Sequence, residues 1–431
     1  METFQLSLFY DYRALIMNTH FFKKYDALFS VFDLSELRFR KYEIGRTPYS
    51  RHAIFRALIV KHLEEIPSIP RLLEFLDANP ILTEMCGFTI GCLPDESQFY
   101  RFLQELPNSV MQKLHLAVNK KLIDPGIVTL TTFLIDSKPV KAATKDNNPK
   151  NTARNISNKH KQPQRNPQAT LGYYTHYETN DGTVKREFFW GYRTHVIVSQ
   201  EGIPLVEVTL PTSKTDAQVA KTLIRKLKKL YRFTKNAVFI ADAAYDVRDL
   251  YELIITRLKC RAIIPINPRY SQPLKAVGPH GAPLCDAGLE MASDGWWSDK
   301  NTDKAKFRCP LKTRRTIARK YPDGCPIHHL RFSEGATYGC TKYLTITDDA
   351  RARVPRTSTL FEELYNKRII CEQYFSRLGS READQTTHYT LRVVKNQITI
   401  AHISQSLVAL AAVALGQLDK IRCVRTFAMT A

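Results

Sequence analysis

Apolar side chains recur at helical spacing through residues 51–66 (RHAIFRALIVKHLEEI), again from Ser68 (SIPRLLEFLDANPIL) and from Glu96 (ESQFYRFLQELPNSVMQKLHLAV). The spacing predicts helices in all three. Pro70 falls where a first helical turn tolerates proline, and Pro94-Asp95 signals the next helix start. Together they make a helical unit over 1–125, with the short turns of helix-turn-helix modules. The period then changes. TLTTFLIDS (129–137) is β-branched, partly alternating, and reads as a strand ending on an acid. A hairpin follows: YRTHVIVS (192–199), a Glu201-Gly202 turn and IPLVEVTLP (203–211). Next come an amphipathic helix (215–232), a strand (238–242), a helix (247–259) and a strand (261–267).

That order predicts an α/β layer sandwich with a mixed sheet, the order expected of a ribonuclease H-like core. Its first part spans 126–269. Over 270–345 the regularity breaks into a stretch rich in proline and glycine, with Trp296, Trp297 and four cysteines, which reads as an insertion. Strand-like YLTIT (343–347) follows it and reads as a return to the core. A helix over 360–376 and a long apolar C-terminal helix complete the core within 346–431.

Charge changes the picture more than composition does. The chain carries 63 basic and 42 acidic residues, a net charge of +21, which points to a polyanion, nucleic acid above all. Between 137 and 193 there are eleven Lys/Arg against four Asp/Glu, and 141–170 reads as a mobile basic loop. The first residues lack a basic n-region and do not read as a signal peptide. The apolar run 398–416 contains His402, Ser404, Gln405 and Ser406, which suits a buried helix better than a membrane span. With an odd number of cysteines and no export signal, the expected compartment is the cytoplasm.

Two aspartates, Asp136 and Asp242, end predicted strands, where functional groups converge in open α/β sheets. A lone aspartate there is ordinarily a cap or turn former; two of them, plus an acid on a later helix, point to chemistry. The later acid lies in YNKRIICEQYFSRL, where Tyr365, Arg368 and Glu372 fall at i, i+3 and i+7, on one helical face.

FLIDSKPV, YRTHVIVS, FIADAAYD and YNKRIICEQYFSRL, in this order, resemble the DDE transposases of bacterial insertion sequences, in the branch with a Y-x2-R-x3-E-x6-K signature. CGFTIGCLPDESQFYRFL resembles that branch's helical region. The resemblance implies Asp136, Asp242 and Glu372 as catalytic metal ligands, and Tyr365, Arg368 and Lys138 on DNA phosphates. Gly379 stands where the signature has lysine, leaving Arg377 or Arg381 as stand-ins. It also implies two Mg²⁺ (Mn²⁺ substituting), double-stranded DNA as element end and target, and a homodimer in the synaptic complex. A non-integrating nuclease on the same core, or a derivative that binds DNA without cutting it, remain as alternatives. Separately, Cys285, Cys309, Cys325 and Cys340 are candidate Zn²⁺ ligands, although their spacings are long, no C-x2-C pair is present, and buried unligated thiols are the ordinary explanation.

Overall fold

The computed structural model describes residues 12–37, 49–148, 163–177, 184–267, 277–299, 302–333, 337–346, 350–379 and 381–428. Helices α1 (Tyr12–Met17), α2 (His20–Val31), α3 (Arg51–Leu63), α4 (Ile69–Asp77), α5 (Pro80–Cys86), α6 (Glu96–Glu105) and α7 (Asn108–Ile123) realise the predicted helical unit. Their starts follow local chemistry. Ser50, Ser68 and Asp95 accept backbone N–H groups at the first turns of α3, α4 and α6, and Pro70 sits inside the first turn of α4.

A six-stranded sheet follows: β1 (Thr132–Lys141), β2 (Thr170–Tyr177), β3 (Val184–Ser199), β4 (Pro204–Pro211), β5 (Val238–Ala241) and β6 (Arg261–Ile263). Its order is β2-β3-β1-β5-β6, with β4 also on β3. β1 and β3 are antiparallel, whereas β1, β5 and β6 are parallel. This is the ribonuclease H-like mixed sheet that the order of elements predicted. Between β4 and β5 runs α8 (Asp216–Leu230); between β5 and β6, α9 (Arg248–Tyr251) continues as a π-helical turn, Glu252–Arg257.

Three expectations change. The first strand does not stop at Asp136, because β3 is long enough to pair with it as far as Lys141↔Gly191. Pro139 is tolerated there because β5 has already ended, leaving that side of β1 an edge. The helix expected over 360–376 breaks into α10 (Thr359–Asn366) and α11 (Ile369–Leu378). Across the break Lys367, Arg368, Ile370 and Cys371 each bond three residues back, a tightened turn. YLTIT is not a core strand. It lies in β9 (Thr341–Ile346), which joins β7 (Ala292–Asp299) and β8 (Thr302–Arg308) in the insertion's own sheet.

After the short α12 (Arg381–Asp384), α13 (Leu391–Ala414) closes the chain against α2, α3, α6, α7 and β4. It is long and apolar enough to cross a membrane, but 89% of its most apolar window is buried in the protein. Its polar residues have partners inside: Asn396 donates to the Leu103 and Leu106 carbonyls at the end of α6, and His402 meets the Tyr374 hydroxyl. One apolar core runs continuously from the N-terminal helices through one sheet face to α13. Residues 149–162 of the basic loop lie outside the described residues.

Candidate active site

The parallel ladder between β1 and β5 ends at Ile135↔Ala241. The next residue on each strand is an aspartate, so Asp136 and Asp242 stand side by side on adjacent strands and point to the same face. That face is covered by α11, whose Cys371, Tyr374 and Leu378 pack on Leu134, Tyr192, Val196 and Val198. Cys371 seats the helix, and Glu372, the next residue, lies at its margin with a side chain 57% exposed.

Arg368 joins the two sides. Its Nη1 donates to Glu372 Oε1 at 2.8 Å, and its Nη2 lies 3.8 Å from Asp136 Oδ2. Tyr365, half-buried and stacked on Phe361, feels the charges of Arg368, Asp242, Asp136 and Glu372. The break between α10 and α11 therefore still leaves Tyr365, Arg368 and Glu372 around the aspartates.

Burial, with the charge of Asp242 adding to it, pushes the Asp136 carboxyl up to about 7, although it accepts the Ser137 N–H. Asp242 is raised as well, chiefly by burial, opposed by the Ala244 N–H it caps and by Arg368. Two buried carboxylates that resist ionising together are hard oxygen donors suited to a divalent cation such as Mg²⁺. Among the described residues no three His, Cys, Asp or Glu side chains already stand together as a metal-binding set. The donors thus fit the ion in kind, and Arg368 is the positive charge facing them.

Sequence reasoning missed Asp216, which opens α8. It accepts from the Ser137 hydroxyl at 2.9 Å, pairs with Arg193, and adds its charge to those acting on Asp136 and Asp242. Burial and these three aspartates hold the Tyr245 phenol well above its usual range. An aspartate in a first helical turn looks like ordinary dipole chemistry; only the fold brings it here.

Other predicted residues are placed differently. Arg377 is not brought to the acids. Five residues after Glu372, about 140° round the helix, it donates to the Gly202 carbonyl and lines a cavity of about 420 Å³ with Arg422 and Arg425. The side chain of Arg381 lies outside the described residues. Lys138, two residues along β1 from Asp136, bonds Asp384 at 2.7 Å and the Phe375 carbonyl. A Cβ at Gly379 would stand 3.0 Å from the Lys138 ammonium, so the lysine occupies space that the missing side chain would need.

The fold is α/β, with a ribonuclease H-like mixed sheet that sets two aspartates side by side on neighbouring strands. The particular family is shown by sequence: the model of the Transposase DDE domain matches residues 129–407, and that of the Transposase domain (DUF772) matches 10–105. The chain belongs to the DDE transposase family. No curated protein matches it. Among solved structures, the piggyBac transposase synaptic complex with hairpin DNA is similar at 10% identity and a TM-score of 0.38, covering 93% of this chain and 78% of that one. The Mos1 transposase paired-end complex with left transposon end gives 12% and 0.18, covering 56% and 66%.

Proposed function

We infer that this protein is the transposase of a bacterial insertion sequence, binding the element's ends, hydrolysing a phosphodiester there and passing the freed 3′-hydroxyl to target DNA. The observation that supports this most is the pair Asp136 and Asp242, set side by side past the last rung of a parallel ladder under the helix of Arg368 and Glu372. In this reading Asp136, Asp242 and Glu372 would hold two Mg²⁺. When bound, Mg²⁺ supplies stabilisation of negative charge on the attacking and departing oxygens.

The chain's own side chains do the rest. Arg368 sits where a phosphate would approach the acids, and exchanging its carboxylates for that phosphate would free Glu372. Tyr365 orients the strand beside it, and Lys138 adds positive charge on the Asp136 side of β1. The net charge of +21 draws duplex DNA to the surface, and the helical unit over 1–125 reads the ends. Two copies, one per end, form the synaptic complex, in the cytoplasm at the nucleoid.

The test uses the full chain and a duplex carrying the inverted repeats that flank its gene. Nicking at the repeat boundary in Mg²⁺, followed by joining to a second duplex, is expected. Cutting without joining would leave the nuclease reading standing; binding without cutting would leave only a DNA-binding derivative.

A further inference from the structure

The insertion holds four thiols in two small adjoining clusters, and nothing in the transposase reading uses them. In its sheet β8 and β9 pair up to Arg308↔Thr341. One residue beyond that rung, Cys309 leaves β8 and Cys340 enters β9, so the two lie side by side at one sheet end, and their side chains interact. Cys285 sits in the hairpin Leu284↔Glu290, where its carbonyl accepts the Gly288 N–H. Lys342 ties that hairpin to β9 through the Leu284 carbonyl and Asp286.

Cys325 heads a similar turn, its carbonyl accepting the His328 N–H. Cys309 and Cys325 belong to one small buried cluster and Cys285 to another, and Cys340 packs against both. All four are free thiols. Apart from cysteine, those clusters bury only Leu311 in one and Ala282, Met291, Ala305 and Phe307 in the other. So little apolar surface is the situation in which small units take a metal staple.

We propose that Cys285, Cys309, Cys325 and Cys340 bind one Zn²⁺ per chain as a tetrahedral thiolate site that pins the hairpin, the end of β8 and the start of β9 together. No three of these side chains yet form a closed metal set, so binding draws the thiols inward. Each thiol gives up its proton as the ion takes its place, and no redox change occurs.

The test is metal analysis of the full chain, purified under reducing conditions without chelator. One zinc per chain is expected, with loss of it in Cys309→Ser and in Cys340→Ser but not in Cys260→Ser, a buried thiol elsewhere. Cobalt added to the zinc-free chain should show thiolate charge-transfer absorption, unchanged when Asp136, Asp242 and Glu372 are all replaced by alanine. That second arm keeps the site distinct from the catalytic acids and readable even if a cysteine variant misfolds. A wild-type chain that arrives zinc-free and gives no thiolate band with cobalt overturns the proposal. So does full zinc in the Cys309→Ser Cys340→Ser double variant.

Discussion

The two aspartates and the glutamate reach the same place by different means. Asp136 and Asp242 are set by backbone: adjacent strands, one register, one face, with the Asp136 side chain only 14% exposed. Glu372 is set by side chains: a helix seated on the sheet by Cys371, a tightened turn before it, and an ion pair with Arg368 at an exposed position. An exposed i,i+4 pair contributes little to stability. One half of the site is fixed by strand register and holds two carboxyls raised by burial; the other rests on an exposed ion pair.

The largest effects should be catalytic and common to both halves. Asp136→Ala, Asp242→Ala and Glu372→Ala should each slow end cleavage by about a thousandfold or more, several kcal/mol of lost charge stabilisation. Gel-shift affinity for end DNA should hold or rise, since each change removes a negative charge. Cleavage near the wild-type rate in Asp136→Ala would remove the aspartates from the chemistry and end the comparison.

Stability should separate the halves. The Asp136 carboxyl titrates near 3.9 in an unfolded chain and at about 7 in the folded one. Between those values the folded state keeps a proton that the unfolded state has lost, so metal-free stability falls as pH rises from about 4 to 7 and stays low above that. The contribution is on the order of 2–4 kcal/mol. Melting curves without divalent ions should show Asp136→Asn flattening that slope and raising the melting temperature at pH 8, whereas Glu372→Gln leaves both unchanged. Equal effects from the two would mean that Glu372 is as constrained as the aspartates.

Asp246 tests whether any acid near β5 would serve. It is buried, accepts from the Tyr251 hydroxyl and the Asn267 N–H at 2.8 Å each, and so ties the segment after β6 to the core. Asp246→Ala should cost about 1–3 kcal/mol through those unsatisfied donors. The rate of the folded fraction, scaled by active-site titration, should stay within a few-fold. A catalytic loss as deep as that of Asp242→Ala would show that the wrong aspartate had been chosen.

The smallest effect concerns Gly379. Gly379→Ala sets a methyl 3.0 Å from the Lys138 ammonium, which can shift, and 3.2 and 3.3 Å from the Phe375 and Ser376 carbonyls, so stability should fall by about 1 kcal/mol. If cleavage drops together with Lys138→Ala, and the double variant is no worse than either alone, Lys138 supplies the charge that the signature places on the helix. Additive losses would separate the two positions.

Much of this was legible in the chain. Hydrophobic period located the N-terminal helices from Arg51 onward, the hairpin of β3 and β4, α8 and the buried α13, because each buries one patterned face; α1 and α2 it did not single out. The two aspartates drew attention because strand-like runs stop or turn beside them, and β1 and β5 do set them side by side. Register and break were not. No local pattern shows that β3 would carry β1 past Asp136 to Lys141, since strand length here depends on a partner distant in sequence. The turn at Lys367–Arg368 interrupts a sequence with good helical spacing, because α11 must lie on the sheet through Cys371 and Tyr374. Asp216 joins the acids, and Arg377 leaves them, for the same reason. Periodicity decides which face of an element is buried, but only packing decides which elements meet, and so which charges share a site.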